Sequence, residues 1–122
     1  MSEKEFQLEI VTPDGEVFSG SVSSVVLPGV EGEMEILSNH AAMLAMLQPG
    51  LSRYTAGNDA VELVTGSGFV QVADNKVSVL VELAEGKGEK PKDIKLPDNA
   101  SPEAVREAHL IEKARQRLAE KS

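Results

Sequence analysis

Residues 68–81 read Gly-Phe-Val-Gln-Val-Ala-Asp-Asn-Lys-Val-Ser-Val-Leu-Val, and the fold is decided there. Val77, Val79 and Val81 occupy every second position, the period of an extended chain whose successive side chains point to opposite faces. Residues 69–73 form a second short run of the same kind, and Asp74-Asn75 between them are residue types that tolerate turn backbone. Two such runs joined by that pair predict a β-hairpin.

The same grammar extends towards the N-terminus. Phe6, Leu8 and Ile10 alternate with Gln7 and Glu9, a strand with one buried face, and Thr12-Pro13-Asp14-Gly15 follows as a turn. Further β-like runs centre on Val17 and on residues 22–27, 34–37, 51–55 and 61–65. Gly20, Pro28-Gly29, Pro49-Gly50, Gly57-Asn58-Asp59 and Gly66-Ser67-Gly68 punctuate them. Turns at intervals of eight to twelve residues predict an antiparallel sandwich or barrel over residues 1–85.

At Gly86 the composition changes. Residues 86–100 hold Lys87, Lys90, Lys92, Lys95, Pro91 and Pro97 with few apolar side chains, and read as an extended linker. A single helix is predicted over residues 101–122. Ser101 suits the N-cap, Pro102 the first helical position, and Glu103 complements the helix dipole. Ala104, Ala108, Ile111, Ala114 and Leu118 share one face. Ile111 and Leu118 are its only large members, worth about 3–6 kcal/mol at full burial, so weak docking is expected.

A chain of 122 residues allows one core and not two. Its net charge of −8 runs against nucleic acid as a partner, since phosphates would be repelled. The charge is uneven: residues 1–85 hold 3 basic and 13 acidic side chains, a net of −10, which leaves +2 for the rest. Without cysteine there are no disulfides, thiolate metal sites or thiol nucleophiles. The charged start, Met1-Ser2-Glu3-Lys4-Glu5, is followed by no apolar run of membrane-spanning length, so membrane association is expected only through a complex.

Three constellations invite a chemical reading. Glu31, Glu33 and Glu35 recur at spacing two, which on a strand puts three carboxylates on one face and Met34 and Ile36 on the other. A solvated face explains the pattern, and a basic partner also fits, because like charges so placed repel unless compensated. No alternating Asp-rich loop supports calcium. His40 follows Asn39 in a loop, yet Ser38 and Thr55 lack the surroundings of an activated nucleophile, so no catalytic residue is expected. His109 sits in a charged helix as a solvent-facing residue, and two separate histidines make no metal site. Gly66-Ser67-Gly68-Phe69 precedes a β-run and not a helix, so it is a turn and not a phosphate cradle. On these observations a free-standing β-sandwich that binds a small ligand or peptide stays open as a function.

Taken in order, six stretches narrow the choice. Val11-Thr12-Pro13, Phe18-Ser19-Gly20, residues 26–33 (Val-Leu-Pro-Gly-Val-Glu-Gly-Glu), Asn39-His40-Ala41, Gln48-Pro49-Gly50, and Gly68-Phe69-Val70-Gln71-Val72 followed by Val77-Ser78-Val79-Leu80 resemble the epsilon subunit of F-type ATP synthase, called delta in mitochondria. The resemblance implies a sandwich of about ten strands and a C-terminal helical part. It implies a non-catalytic subunit of the rotating central stalk, without a cofactor, at the cytoplasmic face of the bacterial plasma membrane. The implied partners are the gamma subunit and the loops of the membrane c-ring. Glu31, Gly32, Glu33 and His40 then match the c-ring contact, with Asn39 and Ala41 in the neighbouring partner loop. Glu35 stands where the family commonly has Gly, and Ser38 and Ala42 where it has Pro.

The tail departs further. The family's usual tail is a helical hairpin that reaches the catalytic alpha and beta subunits and inhibits ATP hydrolysis. Some members bind ATP there through Ile-Asp-x-x-Arg-Ala. Residues 102–107 read Pro-Glu-Ala-Val-Arg-Glu, so Glu103 and Arg106 alone keep the pattern and nucleotide binding is not expected. About twenty helical residues, roughly 30 Å, predict one helix in place of two.

Overall fold

In a computed structural model of the chain, residues 4–121 are described. Met1, Ser2, Glu3 and Ser122 lie outside them, and with them the extreme ends of the ranges 1–85 and 101–122 expected from the sequence. Ten strands are followed by one helix: β1 Phe6–Thr12, β2 Gly15–Val22, β3 Ser24–Gly29, β4 Gly32–Leu37, β5 Met43–Leu47, β6 Gly50–Ala56, β7 Asp59–Thr65, β8 Gly68–Ala73, β9 Lys76–Val81, β10 Ala84–Gly86 and α1 Pro102–Glu120.

The hairpin read first is β8–β9. Its closing pair is Ala73 with Lys76, and Asp74 and Asn75 both have positive φ, 53° and 59°, which matches the right-handed twist of the flanking strands. The strands pair in the order β10-β7-β6-β3-β5-β8-β9-β1-β2, with β4 on β3. β3 pairs with β6 through Ser24, Val25 and Val26 and with β5 at Gly29, so it passes the chain from one layer to the other. At the far side β2 returns against β6, where the rings of Phe18 and Tyr54 lie 4.2 Å apart. The nearly closed sheet thus wraps one core. Alternate residues fill it: Leu8 and Ile10, Val25 and Leu27, Val70 and Val72, Val77 and Val79 are all essentially inaccessible.

Three details depart from the sequence reading. The run over residues 22–27 is two strands divided at Ser23, because the chain leaves the edge strand β2 there and enters the other layer as β3. β5, Met-Leu-Ala-Met-Leu, was absent from the predicted runs, for it lacks β-branched residues and helix formers compose it; pairing with β8 along its length makes it a strand. β1 runs antiparallel to β2 but parallel to β9, so the sheet has one parallel pair among its described ladders.

The helix begins as expected. The Ser101 hydroxyl accepts from the Ala104 amide at 3.1 Å, with Pro102 at the first position. Ile111, Ala114 and Leu118 are buried, in a second cluster with Val64 of β7 and Leu83. That cluster is separate from the sandwich core, to which no helix residue contributes.

Candidate partner-binding surfaces

Glu31 lies in the two-residue turn between β3 and β4, closed by the pair Gly29 and Gly32. Gly32 has φ 131°, a backbone that favours glycine, and this turns the chain so that Glu33 and Glu35 follow on the solvent side of β4 while Ile36 is buried. All three carboxylates are exposed, and among the described residues none makes a hydrogen bond or ion pair.

His40, Asn39 and Ala41 are elsewhere. They follow the other end of β4, about 17 Å away along six extended residues, so the structure does not bring His40 together with the Glu31-Gly32-Glu33 turn. Asn39, at φ 61°, donates its amide to the Asn75 side chain at 2.6 Å, and Asn75 in turn donates to the Glu5 carbonyl. His40 is exposed, and its Nδ1 donates to the Ala41 carbonyl at 2.7 Å. The imidazole is thereby committed to its own loop.

A surface that the sequence reading missed is apolar. Met46 of β5, Phe69 of β8 and Leu80 of β9 stand side by side across three paired strands, with Leu44 one step along β5. They are 61%, 38%, 39% and 69% exposed, which no isolated domain gains from. The signal was present: Phe69 and Leu80 fall on the phase opposite to Val70, Val72, Val77 and Val79. Gln71, Lys76 and Ser78 keep the rest of that outer phase polar, so the apolar pair Phe69 and Leu80 marks one end of the hairpin as a second surface to cover.

Glu103 and Arg106 are exposed on the first turns of α1, and their side chains make no hydrogen bond or ion pair among the described residues. The helix residue that matters is Arg115. It is held by Glu85 of β10 through two bonds, Nε to Oε1 at 2.8 Å and Nη2 to Oε2 at 2.7 Å, and it also donates to the Lys92 carbonyl. The Lys92 amide donates to Glu85 at 2.7 Å, so strand, linker and helix meet at one carboxylate. Burial raises the Glu85 pKa, but the Arg115 hydrogen bond, the Lys92 amide and both positive charges outweigh it and hold the carboxyl below its ordinary value.

Residues 5–87 match the family model for the ATP synthase delta/epsilon chain, beta-sandwich domain. The chain belongs to that family. It is 44% identical over 80 residues to the ATP synthase epsilon chain of Desulfitobacterium hafniense strain Y51, covering 66% of this chain and 61% of that one. To the epsilon chain of Pelotomaculum thermopropionicum it is 46% identical over 85 residues, 70% of this chain and 63% of the other. The chain thus spans just over three fifths of the length of these curated relatives. Two solved structures share the fold. A chain of the Tetrahymena thermophila mitochondrial ATP synthase central stalk and c-ring is 19% identical, with a TM-score of 0.65 over 94% of this chain and 99% of its own. A chain of the Euglena gracilis mitochondrial ATP synthase, solved with OSCP, F1 and c-ring, is 17% identical, with a TM-score of 0.69 over 95% and 79%. In this delta/epsilon sandwich no helix among the described residues is long and apolar enough to cross a membrane.

Proposed function

We propose that the chain is a rotor subunit of the central stalk of an F-type ATP synthase, without an active site of its own. The observation that supports this best is the exposed row of Leu44, Met46, Phe69 and Leu80 on a sandwich of this family. Burying such a row against the gamma subunit removes apolar surface from water, and the two-layered core keeps the domain from shearing as torque passes. The Glu31-Gly32-Glu33 turn is the contact for the c-ring: unpaired carboxylates suit loops that carry a basic residue, with charge guiding placement. A platform that meets Glu33 reaches the loop of Asn39, His40 and Ala41 only by spanning the length of β4. The protein then lies peripherally at the cytoplasmic face of the bacterial plasma membrane, held by the complex. Extending α1 away from the sandwich towards the alpha and beta subunits would break the Glu85–Arg115 pair, which opposes an inhibitory role by that route.

Co-elution with the cognate gamma subunit on gel filtration tests the reading. The native chain is expected to co-elute and a Leu44→Asp/Met46→Asp variant to elute alone. Failure of the native chain, or an unaffected variant, would overturn it.

A further inference from the structure

The outer backbone of β4 is a six-residue sheet edge that pairs with nothing among the described residues. β4 pairs only with β3. Of the other two edges, β10 is three residues long with Lys92 folded back onto its Glu85, and β2, which pairs with β1, lacks the regularly spaced acidic side chains of β4. Chemistry then specifies what the β4 edge can accept. The Pro28 carbonyl accepts from the Gln48 amide at 2.9 Å on the β5 side of β3, so Pro28 and Glu33 form a pair without mutual hydrogen bonds. Glu33 therefore turns its own N–H and C=O away from β3, and alternation gives Glu35 and Leu37 the same orientation.

We propose that this edge binds an extended peptide segment with basic side chains at alternate positions, adding it to the sheet as a further strand. Three residues supply backbone donors and acceptors. Their exposed side chains, Glu33, Glu35 and Leu37, recur every two residues, about 7 Å, the spacing at which an added strand presents its own. Cross-strand pairing of Lys or Arg with Glu33 and Glu35 compensates carboxylates that have no partner among the described residues. A second copy of the chain is a poor occupant, since pairing β4 with itself sets carboxylates beside carboxylates, a device that keeps an edge from self-associating. The edge shares Glu33 with the proposed c-ring turn, but Glu35 and Leu37 lie outside that turn and the binding needs no other subunit, so it stands or falls apart from the rotor reading.

The test is a titration of the ¹⁵N-labelled full chain with a ten-residue peptide of alternating Lys and Val. Controls are the Glu/Val counterpart and a Lys/Val peptide N-methylated at alternate amides. The expected result is shifts centred on the amides of Glu33, Glu35 and Leu37, with slowed hydrogen exchange there. Neither control should bind, and Glu33→Gln/Glu35→Gln, with an otherwise native spectrum, should raise Kd at least tenfold. Equal binding of the N-methylated peptide means charge attraction without strand addition and overturns the proposal. Shifts at Phe69 and Leu80, or no shift at millimolar peptide, overturn it too, leaving the glutamates as a guard against aggregation. Failed co-elution with gamma would leave this result untouched.

Discussion

Gly68 has no room for a side chain. A Cβ there would run into the backbone of Leu80 and Val81 on β9, so glycine is required by close strand approach and not by a positive φ. Gly68→Ala is expected to destabilise the sandwich by at least about 2 kcal/mol, read as a fall in Tm of about 10 °C by calorimetry. An unchanged Tm would mean that β8 and β9 can separate locally. Asn75 matters in another way. Its backbone closes a turn that the sequence announces, whereas its side chain pins both the Asn39 loop and Glu5, contacts 36 and 70 residues away in sequence. The turn was legible at Asp74-Asn75 because φ preference is local; the two bonds were not, because nothing near residue 75 encodes which loops will surround it.

At the scale of elements, α1 shows how a shallow stripe is made to dock. Ile111, Ala114 and Leu118 were readable from the helical period and are buried; the Glu85–Arg115 pair, which no period announces, adds a polar anchor to them. Arg115→Ala leaves the Glu85 carboxylate buried with only the Lys92 amide, at a cost of about 1–3 kcal/mol. Faster hydrogen exchange in α1 with unchanged exchange in β8 and β9 is the expected readout. Acid should do the same. The Glu85 pKa is lower when folded than unfolded, so its stabilisation is complete above the ordinary glutamate value of about 4.3 and is lost as pH falls through the depressed one. Protection factors in α1, taken against the intrinsic rate at each pH, should fall below about pH 4 before the sandwich unfolds, and an Arg115→Ala background should abolish that step.

For the whole molecule, the two clusters are separable. The sandwich core from Phe6 to Val81 contains no residue of α1, so removing residues 87–122 should leave a folded domain. Glu85→Gln is needed in that truncation, to avoid leaving its carboxylate without Arg115. Retained near-native amide shifts in β1, β8 and β9 and retained gamma co-elution are expected; collapse of the spectrum would show that the helix belongs to the core. The charge division supports the same partition. The −10 of residues 1–85 and the +2 beyond them meet at Glu85 with Arg115 and at Glu62 with Lys121, ion pairs that bind tail to sandwich.

By itself the sequence determined the strands that alternate, the turns at Pro13-Asp14 and Asp74-Asn75, the capped helix and its apolar stripe, and the acidic surplus of residues 1–85. Each is encoded within a few residues, through side-chain period, φ preference or charge. The tertiary structure alone decided that β1 lies parallel to β9, that Met43–Leu47 is a strand, and that Arg115 finds Glu85. It also separated His40 from Glu31 and Glu33, which adjacent motifs in the chain had suggested belong together. The physical reason is common to all of these. Pairings between distant segments are set by how apolar faces close over one core, and that closure is a property of the whole chain that no local window contains.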